Sequence, residues 1–171
     1  MKNVLMACGI AALVASLVGA QTEAMAKASL KDAQGKTVGQ VQLRETPNGV
    51  LMHVDLDGVP PGMHAFHIHA VGKCDAPAFT TAGGHFNPGN MKHGLLVQGG
   101  PHAGDMPNIT VPQGGKLSFD VLATNVTLAP GAKSLFDADG SAVVIHGMAD
   151  DYTTDPAGNA GPRIACGVIT K

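Results

Sequence analysis

Glycine and proline together fill about a fifth of the 171 positions (23 Gly, 11 Pro), and that density is the strongest constraint on the fold. Inside a helix each glycine costs about 1 kcal/mol and each proline about 3 kcal/mol relative to alanine, so a helical bundle cannot carry this many. Disorder is excluded from the other side, because 44% of the residues are apolar and only 14% are charged. Short strands joined by turns satisfy both limits, so the expected fold is all-β. In Val50-Leu51-Met52-His53-Val54-Asp55-Leu56 the even positions are apolar and most odd ones polar, the period of a strand with one buried face. Leu117, Phe119, Val121 and Ala123 repeat it. Asp32-Ala33-Gln34-Gly35 and Thr46-Pro47-Asn48-Gly49 are turn-formers, with Asn48-Gly49 a hairpin signal. Residues 142–145 and 163–169 read as later strands, and no helical period of useful length occurs. The length fits one domain. Eleven basic against thirteen acidic residues give a net charge of −2, which argues against a nucleic-acid partner or a polybasic membrane surface.

The first 26 residues place Lys2 before an apolar run from Val4 to Ala20 and end in small residues, the layout of a secretory signal peptide. The run is slightly short for a bilayer helix and no stop-transfer charges follow it, so a cleaved leader is expected, with no stable membrane association. Cleavage after Ala26, at Ala-Met-Ala, is preferred, with Ala20 as the alternative, and residues 27–171 form the domain. Removing the leader also removes Cys8 and leaves Cys74 and Cys166. An even count in an oxidising compartment normally means a disulfide; the alternative is two buried free thiols.

Two stretches lack periodicity, about 70–110 and about 147–162. Loops this long inside a compact domain are functional or held by something else, and the histidines indicate what holds them. Seven of the eight histidines lie between His53 and His102. His67 and His69 stand two apart, so on a strand both rings leave one face while Phe66 and Ile68 point to the core. Two imidazoles so placed chelate one ion, although a lone H-x-H is weak evidence. His85, His93, His102 and Asp105 follow, and three His with one Asp make a closed site of the kind zinc occupies structurally. His146 ends the apolar run Val143-Val144-Ile145. Imidazole ligands in tetragonal arrangement suit Cu(II). The residues alone thus lead to two transition-metal sites in a β domain with a cysteine pair.

Five blocks are more specific: HAFHIH (64–69), GGHFNPGNMKH (83–93), HAGDMPN (102–108), VVIHGMADD (143–151) and GNAGPRIACGVI (158–169). In this order, with fifteen residues between His69 and His85, they resemble the copper/zinc superoxide dismutases over essentially residues 28–171, and the Asp105–Asn108 run and the short loop after His146 look like the bacterial periplasmic branch. The resemblance implies an eight-stranded Greek-key β-barrel or sandwich with long metal-binding and active-site loops, located in the periplasm. It implies copper on His67, His69, His85 and His146, zinc on His85, His93, His102 and Asp105, and His85 as an imidazolate between them. Asp150 matches a carboxylate that hydrogen-bonds a ligand on each metal. Arg163 matches the arginine that docks the substrate anion beside copper, and Cys74–Cys166 the family disulfide. The implied reaction converts superoxide to dioxygen and hydrogen peroxide by alternate reduction and reoxidation of copper, with His85 carrying a proton.

Some residues depart from the pattern or carry less weight. Ala65 stands where most members have Gly, which requires negative φ there. The loop after His146 holds Asp150, Asp151 and Asp155 but no Lys, so steering of superoxide falls to Lys73 and Lys92 as candidates. His53 is expected at the surface, and His64 to bond the backbone rather than a metal. A copper carrier or a structural zinc protein on the same fold are the competing readings, but the full set of copper histidines and Arg163 favours the enzyme. A homodimer is left open.

Overall fold

Where apolar residues alternate in the first third of the chain, strands form with one buried face. The structure is a computed structural model and describes residues 25–171, so the leader up to residue 24, with Cys8, lies outside the described residues. Strands β1 (Met25–Asp32), β2 (Thr37–Thr46) and β3 (Gly49–Asp57) make an antiparallel meander. Their inward positions, among them Leu30, Leu43, Met52 and Val54, are fully buried. The turn between β2 and β3 falls where expected but shifted by one residue. Thr46 pairs with Gly49, so Pro47 and Asn48 are the loop residues. Gly49, at φ +123°, is required by a close approach, because a Cβ there would overlap the carbonyl of Ala123.

After β3 come β4 (Gly62–His64), β5 (Phe66–His69), a 3-10 turn at Thr80–Ala82, β6 (Ile109–Val111), β7 (Lys116–Ala123), β8 (Ala142–His146) and β9 (Arg163–Val168). Seven strands form one antiparallel sheet in the order β5-β8-β9-β1-β2-β3-β7, and β4 pairs separately with β6. The sheet curls on itself: Phe66 on one edge strand meets Phe119 on the other at 5.9 Å between centroids, edge to face at 78°. Among the described residues, nine strand segments stand where the family resemblance implies eight. The division comes at Ala65, where one extended stretch leaves its pairing with β6 and takes up pairing with β8. Ala65 is fully buried and is not among the residues with positive φ, as its side chain requires. Among the described residues there is no α-helix, and none long and apolar enough to cross a membrane.

Candidate metal centre

β5 is the free edge of the large sheet, and the long loop returns to it twice. Phe86 N–H donates to Ile68 O (2.8 Å), Ile68 N–H to Gly104 O (2.9 Å), and Gly104 N–H to Phe86 O (2.8 Å). These bonds cover an otherwise exposed edge and set His85 and Asp105 beside His69 and His67. Gly104 is obligatory, since a Cβ there would overlap Ile68 O. His146 arrives from the end of β8, next to β5. Two buried groups result, His67–His69–His85–His146 and His85–His93–His102–Asp105, each with its candidate ligand atoms within 4.8 Å of one another, and His85 belongs to both.

Hydrogen-bond chemistry fixes which ring nitrogen carries a proton, because a carbonyl or carboxylate oxygen only accepts. His67 Nε2 faces Asp150 Oδ2 at 2.8 Å, so Nε2 holds the proton and Nδ1 keeps its lone pair. That Nδ1 is buried without a partner. His69 Nδ1 donates to Gly83 O (2.9 Å) and His146 Nδ1 approaches Gly161 O (3.4 Å), which leaves two Nε2 lone pairs facing each other at 3.3 Å. His85 Nδ1 faces Asp105 Oδ1 at 2.8 Å, and its Nε2 is also buried without a partner. Burial keeps the His67, His69 and His146 rings neutral: it is the main cause that brings His67 down to about 4, His146 to about 3, and His69 well below the usual range. Lone pairs that converge in a buried space repel unless a cation lies between them. The four-nitrogen set therefore fits a copper ion.

The second group is built around one carboxylate. Asp105 Oδ2 accepts from the Gly94 and His102 N–H groups, 2.9 Å each. Its Oδ1 faces Nδ1 of His85, His93 and His102 at 2.8, 3.1 and 3.3 Å. Burial alone would raise the Asp105 pKa, but the bonds from His85 and the Gly94 amide hold it well below the usual carboxylate range. Three imidazole nitrogens about one fixed carboxylate oxygen suit zinc. Asp150 spans both groups, with Oδ2 on His67 Nε2 and Oδ1 on His93 Nε2 (3.0 Å). Burial opposes its ionisation too, and the His67 and His93 bonds outweigh that and bring it to about 2. Gly158 lies against this carboxylate so closely that a Cβ would overlap Asp150 Oδ1.

Arg163, at the start of β9, donates from Nη1 to Phe79 O (2.7 Å) and from Nη2 to Gly83 O (2.6 Å). Gly83 O thus serves both Arg163 and His69. The loop offering those carbonyls is tied to β9 by the Cys74–Cys166 disulfide, Cα–Cα 5.6 Å, which excludes the free-thiol alternative. A wide cleft beside Arg163 is lined by Pro77, Ala78, Thr80, Gly161 and Pro162. Asp151 works as a knot: its carboxylate accepts from the Thr153 and Thr154 amides, both their hydroxyls, and Asn159. The Thr154 hydroxyl is the main cause of its lowered pKa. Lys73 and Lys92 are exposed on the long loop. His53 is on the surface between the carboxylates of Asp55 and Asp120. Both ring nitrogens of His64 face carbonyls, those of His146 and Pro60, at 2.8 Å.

A family model described as copper/zinc superoxide dismutase matches residues 37–169. The chain belongs to the copper/zinc superoxide dismutase family. A superoxide dismutase [Cu-Zn] of Aquifex aeolicus is 52% identical over 144 residues, covering 83% of this chain and 85% of the relative. Among solved structures, a superoxide dismutase-like protein from Bacillus subtilis superposes with TM-score 0.80 at 39% identity, covering 83% of this chain and 96% of that one. The copper/zinc superoxide dismutase of Brucella abortus superposes at 0.71 and 31% identity, covering 86% and 100%. The family's reaction is dismutation of superoxide to dioxygen and hydrogen peroxide, with copper and zinc as cofactors.

Asn108, Tyr152, Gly83 and Gly158 escape a reading of the sequence for ligands. They act through backbone geometry or touch a residue that touches a ligand. The signals available were the chain's only tyrosine, set in an aperiodic loop, and glycines scattered through that loop.

Proposed function

We propose that this superoxide dismutase holds copper on His67, His69, His85 and His146 and zinc on His85, His93, His102 and Asp105, with the His85 ring between the two. The observation that carries this is the pair of buried, partnerless ring nitrogens, His67 Nδ1 and His85 Nε2, in the same space as the opposed lone pairs of His69 and His146. Copper, when bound, supplies one-electron chemistry, accepting an electron from one superoxide and returning it to the next. His85 Nε2 is the group that takes up a proton and hands it to the nascent peroxide, water supplying the second. With its Nδ1 engaged in the zinc group alongside His93, His102 and Asp105, the His85 ring would stay in place when its Nε2 takes up the proton. Asp150 orients one ring in each group, as hydrogen-bonded carboxylates generally do for metal-bound imidazoles. Arg163 has five donors, of which two are spent on carbonyls. The remaining N–H groups dock the small anion, and the carbonyl contacts hold the guanidinium where it is wanted.

Export to the periplasm is supported by the disulfide and by the leader pattern. Of the two cleavage sites, Ala20 is the better supported: β1 begins at Met25, and Ala26 pairs with Leu43 and is only 6% exposed, so a cut after Ala26 would remove two residues of a core strand. Exposed Met63, Leu96 and Met148 offer apolar surface for a homodimer, which light scattering tests. The metal assignment is tested by anomalous scattering at the copper and zinc edges from crystals loaded with one of each. Two peaks flanking His85 are expected. A single peak, or zinc at both positions after loading with both ions, contradicts it.

A further inference from the structure

Asp150 serves two rings at once only if its oxygens stay aimed in two directions, and it sits in a loop. What aims it is a closed circuit of three residues. Asp150 N–H donates to Asn108 Oδ1 (2.8 Å) and Asn108 Nδ2 donates to Asp150 O (2.9 Å), so the carboxamide grips both polar groups of the Asp150 main chain. Asn108 N–H donates to the Tyr152 hydroxyl (2.7 Å). Tyr152 N–H donates to Asp150 Oδ1 (2.6 Å), the oxygen that faces His93.

Tyr152 has φ 63°, a left-handed conformation that costs a non-glycine residue on the order of 1–3 kcal/mol and persists only where the surroundings over-determine it. Here they do. Its carbonyl accepts from Leu96 N–H (3.2 Å) and lies where a Cβ on Gly94 would overlap it. Gly94 follows the zinc-group residue His93, and Asn108 follows Asp105 by three. The clamp thus ties together the two segments that carry zinc-group residues and the loop that carries Asp150.

We propose that Asn108 and Tyr152 are positioning residues that aim the Asp150 carboxylate and through it set the chain's affinity for zinc and the ligand field at copper. This rests on the reading above that Asp150 orients His67 and His93. Removing the Tyr152 hydroxyl strips an acceptor from the Asn108 amide and loosens the turn that delivers Tyr152 N–H to Asp150. Truncating Asn108 frees the Asp150 main chain at both ends.

The test is zinc affinity, measured on the full chain by competition with a chelator, for Tyr152→Phe, Asn108→Ala, Asp150→Asn, and the doubles that combine each of the first two with Asp150→Asn. Partners behind metal ligands are worth roughly 10–100-fold in affinity. Asp150→Asn is expected within that range and each clamp variant near its lower end. A residue that acts only through Asp150 adds nothing once Asp150 is changed, so the doubles should bind zinc no more weakly than Asp150→Asn alone. Copper-loaded Tyr152→Phe should also shift its copper EPR signature in the same direction as Asp150→Asn. Clamp variants with unchanged zinc affinity, or doubles whose losses add, overturn the proposal. If Asp150→Asn itself binds zinc normally, the underlying reading of Asp150 fails instead. Should Asn108→Ala not fold, Tyr152→Phe, which removes a single oxygen, decides alone.

Discussion

Opening the Cys74–Cys166 bridge should cost stability and loosen the anion site together. The bridge joins residues 92 apart, and the loop-closure relation gives about 4.6 kcal/mol at 25 °C for a ring of that size. With an unfolding entropy of about 2.1 cal/mol/K per residue over roughly 145 residues, that is a fall of about 15 °C in melting temperature. The local effect follows from what the bridge tethers. Phe79 O and Gly83 O, the two acceptors of Arg163, belong to the loop behind Cys74, and Gly83 O also holds His69 Nδ1. Thermal and urea melts of the metal-free protein, oxidised against reduced with both thiols retained, isolate the cross-link from the packing of the sulfur atoms. Azide competition on the copper-loaded protein, before and after reduction, reads the Arg163 site. A shift under about 3 °C with unchanged azide affinity would refute the reasoning.

Other perturbations have equally definite outcomes. Gly158→Ala, which sets a Cβ onto Asp150 Oδ1 at φ +63°, should weaken zinc binding about tenfold in addition to a backbone cost of about 1–2 kcal/mol; zinc titration and melting check both parts, and intact zinc affinity would mean the carboxylate has room to move. Arg163→Ala should cut the dismutation rate and weaken azide competition with copper content unchanged, Arg163→Lys falling between; copper loss by elemental analysis would show that the arginine supports the ligands instead. Replacing Lys73 and Lys92 together by Gln should flatten the dependence of rate on ionic strength, and an unchanged slope removes them from steering. In the metal-free protein His67 and His146 titrate near 4 and 3, below their unfolded value of about 6.5. The unfolded chain thus binds more protons as pH falls below 6.5, and stability should drop by roughly 1.4 kcal/mol per pH unit for each ring down to about pH 4. Denaturant melts that show stability flat or rising over that interval contradict the buried neutral histidines.

Residues whose chemistry is spelled out by type and spacing were legible in the sequence. The alternation in 50–56 and 117–123 located β3 and β7, and His67–His69 identified a strand with two rings on one face. Both four-residue groups came together from four separate blocks. What was hidden depends on contacts that no period or motif encodes. The switch of partner at Ala65 is decided by which strand lies alongside. The hairpin register was decided by the approach of Gly49 to Ala123 O rather than by Asn48-Gly49 as the loop pair. Tyr152 carries a cost that its contacts with Asn108, Asp150 and Leu96 explain. Asp151 looked like one more acidic charge near the substrate path, and it proved to be a hydrogen-bonded knot of its loop.

The most direct test of the account is the decay of superoxide with purified protein carrying one copper and one zinc, set against the same protein carrying zinc alone. A copper-dependent second-order rate within reach of the diffusional ceiling of roughly 10⁹ M⁻¹s⁻¹, where superoxide dismutases as a class sit, is the predicted result. Stoichiometric copper binding with no such rate would contradict the account and leave a copper carrier on a dismutase fold.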